Sequence, residues 1–145
     1  MSIGKFCRDL AISYFLFCSI GVPLINQIAI NLPPKKTKEQ LEIILNKEKK
    51  KLDLNNKNIE IIFNDKIRNS TAETKENGSY LISLSKNQRN NSVLRHEMYH
   101  IAKGHCDRYY NTRGIRGFLD IGKRFFDYNF IMEPTAAIYS LTGIK

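Results

Sequence analysis

From Leu10 to Leu32 the sequence "LAISYFLFCSIGVPLINQIAINL" carries no charged residue. These 23 residues follow Lys5 and Arg8 and precede Pro33, Pro34, Lys35, Lys36 and Lys38. About 20 apolar residues in a helix cover the hydrocarbon core of a bilayer, so the stretch is long enough to cross one. Pro23, Asn26 and Gln27 dilute its second half. No small-x-small cleavage site follows the apolar run, and bulky Phe17 before Cys18 argues against a lipoprotein site. The expectation is a membrane anchor or uncleaved signal over residues 1–34, with a cleaved signal or a buried core helix as the alternatives. Positive charge flanks both ends, so the positive-inside rule assigns residues 35–145 to neither side. A secreted or cytoplasmic location is the alternative to a membrane-associated one.

Composition adds limits more than direction. A chain of 145 residues allows one compact domain with a modest core besides that segment. The formal charge is +9, but coding in an A/T-rich genome imposes the same Lys, Asn and Ile enrichment, so no specific nucleic-acid partner is expected. Of three cysteines, Cys7 and Cys18 lie in or beside the apolar segment and only Cys106 lies outside it. A disulfide framework in residues 35–145 is therefore excluded. Packing must hold the fold, with help from a metal where ligands allow.

After the Pro-Pro break, "TKEQLEIILNKEKKKL" reads as an amphipathic helix. Thr37 and Gln40 have the capping-box spacing, and Leu41, Ile44, Leu45 and Leu52 recur at helical intervals. The Lys49-Lys50-Lys51 run suits a solvated helix end near the negative pole of the dipole. "IEIIFND" and "SYLISLS" read as strands, with Asn77-Gly78 as a turn before the second. A short, mostly antiparallel sheet of two or three strands is expected. The chain from Arg116 onward reads as helical, broken near Glu133-Pro134 and closed at Gly143. The fold class is α+β.

Every histidine lies in "SVLRHEMYHIAKGHCD", Ser92 to Asp107. The spacing predicts a helix over Ser92–Lys103 with Asn91 or Ser92 as N-cap. At about 100° per residue, His96 and His100 stack one turn apart, within reach of a single metal ion. Leu94, Met98, Ile101 and Ala102 fall on the opposite, apolar face. Glu97 sits about 100° round from His96, beside the pair. There a carboxylate reaches a metal-bound water without displacing it, which is why H-E-x-x-H carries chemistry. An ordinary amphipathic helix also places polar residues opposite its apolar face, so the wheel alone leaves both readings open.

"HEMYHIAKGH" resembles the active-site helix of zincin metallopeptidases. The likeness is to the gluzincin branch, which includes thermolysin-like enzymes, HtpX-type membrane peptidases and ImmA/IrrE proteins. Metzincins match less well, because the positions where they need Gly and then His or Asp are Lys103 and Cys106. The resemblance implies a small zincin-like domain and a zinc-dependent peptidase acting on a peptide or protein substrate. It implies Zn²⁺ held by His96, His100 and a glutamate on a later helix, with Glu97 as general base. "EPTAAIYS" offers Glu133 with Ala136, 33 residues after His100. From the residues alone, Asp120, Asp127 and His105 are the other candidate ligands. Pro134 reads as a first helical residue, placing Glu133 at the N-cap or just before it.

His105 falls about 180° from His96 while a helix continues, so with Gly104 ending the helix it reads as a structural cap. Cys106 reads as an inert thiol. Tyr109, Tyr110, Tyr128 and Tyr139 include candidate oxyanion donors, and "GSYLISLS" is the expected substrate-aligning edge strand. The contrasting readings are a basic membrane- or nucleic-acid-associated module without catalysis, and a catalytically inactive zinc-binding protein.

Overall fold

The computed structural model describes residues 3–31, 33–110 and 127–144. Helix α1 (Ile3–Leu16) runs through a π-turn (Phe17–Gly21) into α2 (Val22–Asn31). Together they make one helix of 29 residues, long and apolar enough to cross a membrane and only 11% buried in its most apolar window. At 1.5 Å per residue it is about 43 Å long. Leu10, Phe15, Leu16, Ile20 and Leu24 point outward, whereas Val22 and Ala29 are buried.

The π-turn falls where Pro23 would otherwise break the helix. A proline ring collides with the carbonyl four residues back. Widening the turn, so that Val22 N–H bonds to Phe17 O five residues back, relieves that crowding without ending the helix.

Helix α3 (Lys38–Lys51) begins as its sequence implies. Thr37 Oγ1 accepts from Gln40 N–H at 3.4 Å while Gln40 Oε1 accepts from Thr37 N–H at 3.1 Å. Strands β1 (Ile59–Phe63), β2 (Thr71–Thr74) and β3 (Tyr80–Leu84) follow, then α4 (Asn91–Ala102) and α5 (His105–Tyr110). A second π-turn (Tyr128–Met132) leads into α6 (Glu133–Thr142), which Gly143 closes at φ 66°.

The architecture is α+β, as expected, with a mixed sheet in the order β1-β3-β2. β2 and β3 form the antiparallel hairpin signalled by Asn77-Gly78, with Gly78 at φ 76°. β1 pairs with β3 in parallel, which differs from the antiparallel expectation. The strand expected at the edge is therefore central. Ile82 and Leu84 are fully buried and Ser83 and Ser85 nearly so, because both faces and both sides of β3 are covered. The edge next to the histidine helix is β2, whose "TAET" is too polar and short to announce a strand.

The N-cap of α4 is Asn90, one residue before the two expected. Its Oδ1 accepts from Val93 N–H at 2.9 Å. Its Nδ2 donates to the carbonyls of Ala29 and Ile30 at 3.1 and 3.2 Å. A carboxamide offers an acceptor and two N–H donors at separate ends, and here it joins the end of the apolar helix to the first turn of α4.

Leu41, Leu45, Ile61, Ile82, Leu84, Leu94, Met98 and Tyr139 fill a single core. Glu48 lies among them with no exposure. Tyr139 Oη donates to it at 2.6 Å and Arg95 Nε at 3.0 Å, with Lys51 Nζ at 3.5 Å. Burial alone pushes its pKa up, but the bonds from Tyr139 and Arg95 outweigh burial and leave it below the ordinary 4.5. A lowered native pKa stabilises above that ordinary value and is lost as pH falls through the native one.

Arg95→Met strips this buried carboxylate of its main cation. The expected cost is about 3 kcal/mol in urea unfolding at pH 7, the low end of the range because Lys51 remains. The loss should shrink on acidification. An equal loss at pH 7 and pH 3 would assign Arg95 to packing alone.

Candidate metal centre

Helix α4 presents His96 and His100, and α6 presents Glu133 from its first position. The three side chains converge. His96 Nε2 and His100 Nε2 are 3.1 Å apart. Glu133 Oε2 lies 3.4 Å from His96 Nε2 and Oε1 lies 3.4 Å from His100 Nε2. Ligand atoms placed tetrahedrally at 2.0–2.1 Å from a zinc-sized ion are about 3.3–3.4 Å from one another. The donor set therefore already has the dimensions of a metal site. Two imidazoles and a carboxylate brought this close together are a donor set that a cation between them would satisfy. His96, His100 and Glu133 can hold a metal ion.

Among the described residues, Asp127 and His105 do not join that cluster of ligand atoms; Asp120 lies outside the described residues. Glu133 does not precede a helix, as its following proline suggests. It is helical itself, at φ −63° and ψ −46°, and its N–H bonds to Tyr128 O five residues back. The second π-turn makes room for the Pro134 ring just as the first does for Pro23. The carbonyl that Pro134 would have engaged, Phe130 O, accepts instead from the Tyr14 hydroxyl of α1. The apolar helix thus supports the turn that aims Glu133.

His105 is more than a cap. Gly104, at φ 66°, ends α4 and turns the chain so that His105 Nδ1 comes within 2.8 Å of His100 Nδ1. In the tautomer in which His100 donates there, its Nε2 lone pair faces the centre. Such contacts behind a ligand fix its tautomer and ring orientation. His105→Ala should therefore weaken metal affinity about 10–100-fold while leaving helix content unchanged. Competition with a chromogenic chelator measures this, and unchanged affinity would return His105 to a purely structural role.

Electrostatics separate the two glutamates. Burial pushes Glu133 up, but the His100 and His96 imidazoles and the Tyr128 hydroxyl beside it outweigh burial and hold the carboxyl well below the usual range. It is an anion, as a ligand must be. Burial pushes Glu97 up to about 7, with His96 opposing. Glu97 is outside the ligand cluster, with the backbone of Ala72 on β2 beside its carboxyl. His100 is lowered chiefly by burial, and so kept neutral. His96 is raised because the Glu133 bond outweighs burial. Burial, with Glu97 and Asp107 nearby, pushes the Cys106 thiol up to about 12, which keeps it protonated and inert.

Of the tyrosines, Tyr128 lines the cavity and bonds Glu133. Tyr139 points away, onto Glu48. The side chains of Tyr109 and Tyr110 lie outside the described residues.

These groups open into a cleft of about 1140 Å³. One wall is α4 with Glu133, another is β2 from Thr71 to Thr74, and a third is the apolar helix at Pro23, Asn26 and Gln27. No family model, curated protein or solved structure matches the chain.

Proposed function

We propose that this chain is a zinc-dependent peptidase of the gluzincin type. The observation that carries the reading is the pairing of a two-histidine, one-glutamate donor set with a second buried carboxylate, Glu97, beside it and outside it. Three protein ligands suit a catalytic site that keeps one position open, where four would close it. Two imidazoles and a carboxylate suit zinc among the common divalent metals. Zinc bound there would supply a Lewis acid and lower the pKa of its water.

The chain's own residues divide the remaining work. Glu97, held near neutrality by burial, takes the proton of the attacking water and returns it to the leaving amine. His105 holds the His100 ring, and Tyr128 holds the Glu133 carboxylate. The outer edge of β2 borders the cleft and has no strand partner among the described residues. It can pair with an extended substrate by strand addition.

The full chain in detergent, dialysed against zinc, should retain about one ion per molecule and cleave unfolded casein. Phenanthroline should abolish cleavage and added zinc restore it. A folded protein that takes up no zinc would end this reading; zinc without cleavage would leave a metal-binding protein. We also place the apolar helix in a membrane, on the strength of its length and outward Leu10, Phe15, Leu16, Ile20 and Leu24. Resistance to alkaline carbonate extraction is the expected result, and release into the supernatant would refute it.

A further inference from the structure

The apolar helix carries an anomaly in its own sequence. Asn26 and Gln27 interrupt a stretch otherwise suited to lipid. Polar residues in such helices usually face a cavity or another part of the protein, where they serve a purpose that offsets their cost. Both line the cleft that holds His96, His100 and Glu133. Gln27 is engaged within its own helix, its Oε1 accepting from Asn31 Nδ2 at 3.3 Å. Asn26 differs. It is half-buried, and its carboxamide makes no hydrogen bond among the described residues.

The wall formed by β2 carries main-chain groups without a strand partner among the described residues. A peptide paired with that strand has two edges, one on β2 and one toward the rest of the cleft. Along the second edge its N–H and C=O groups need partners of their own. A carboxamide supplies two donors and one acceptor, the set that an amide main chain requires. We propose that Asn26 is a substrate-binding residue that hydrogen-bonds the main chain of an extended peptide in the metal cleft. The apolar helix is then part of the substrate site as well as an anchor. This assignment rests on the metallopeptidase reading above.

Hydroxamates separate the two. Acetohydroxamate engages only the metal, while the hydroxamate of tetra-alanine adds a peptide main chain. Titration calorimetry on the zinc-loaded full chain in detergent reads binding without relying on turnover. The tetra-alanine compound should bind the native protein more tightly than acetohydroxamate does. Asn26→Leu, which places an apolar side chain in an apolar helix, should weaken the tetra-alanine compound about tenfold, the worth of one hydrogen bond lost in a sheltered site. Acetohydroxamate should bind both proteins equally, which also shows that the variant is folded and metal-loaded. Equal binding of tetra-alanine hydroxamate to both proteins would overturn the role of Asn26. So would the absence of any gain over acetohydroxamate in the native protein. Failure of both compounds to bind the zinc-loaded native protein would strike at the peptidase reading itself.

Discussion

Glu97→Gln should leave the metal in place and lower peptide hydrolysis by roughly a thousandfold, within the range for loss of a general acid–base group. The substitution keeps the shape of a buried side chain and removes only its capacity to take a proton. The donor atoms of His96, His100 and Glu133 converge without it, so zinc content should stay near one per chain. Stability should hold or rise, because burial opposes charge on this group and a neutral amide removes that cost. Hydrolysis of casein at equal zinc loading is the measurement. Full activity in Glu97→Gln would assign proton transfer elsewhere, and loss of zinc would make Glu97 a ligand.

The second large effect concerns the metal itself. His100→Ala should reduce zinc to a trace, because it removes the ligand that touches both other members of the centre and His105 behind it. The thermal consequence is as telling as the metal content. A ligand bound only by the folded state adds about 4 kcal/mol when present at a thousand times its dissociation constant. The native melting temperature should therefore climb with added zinc, while His100→Ala should show no climb. A variant that melts earlier but still gains stability from zinc would move the binding site away from α4.

What could be read in advance was local. The i,i+4 spacing of His96 and His100, the Thr37–Gln40 cap and the Gly143 stop all follow from geometry within one or two helical turns. The burial of Leu94, Met98 and Ile101 follows in the same way. The misread features depend on partners far away in the chain. His100 and Glu97 sit on the polar side of α4, yet both are buried, because β2 and the apolar helix wall the cleft in front of them. Glu133 is helical despite Pro134 because a π-turn and the Tyr14 hydroxyl, 116 residues away from Phe130, absorb what the proline disrupts. β2 is a strand because β3 offers it a hydrogen-bonding edge, whatever the weak propensity of Thr-Ala-Glu-Thr. His105 comes to His100 through one left-handed glycine, and a helical wheel has no way to represent that turn.

Asn90 has a mechanical consequence. By gripping Ala29 and Ile30 while starting α4, it removes the slack that a linker between an anchor and a catalytic domain would normally have. If a bilayer holds the apolar helix, the height of the histidine pair above or below the lipid surface is set by counting residues along that helix. Each residue inserted between Gly21 and Asn26 would displace the upstream segment by about 1.5 Å and swing it by about 100°. On the peptidase reading proposed above, the chain would then act as a ruler, choosing which bond to cut by its distance from the membrane plane as well as by its sequence.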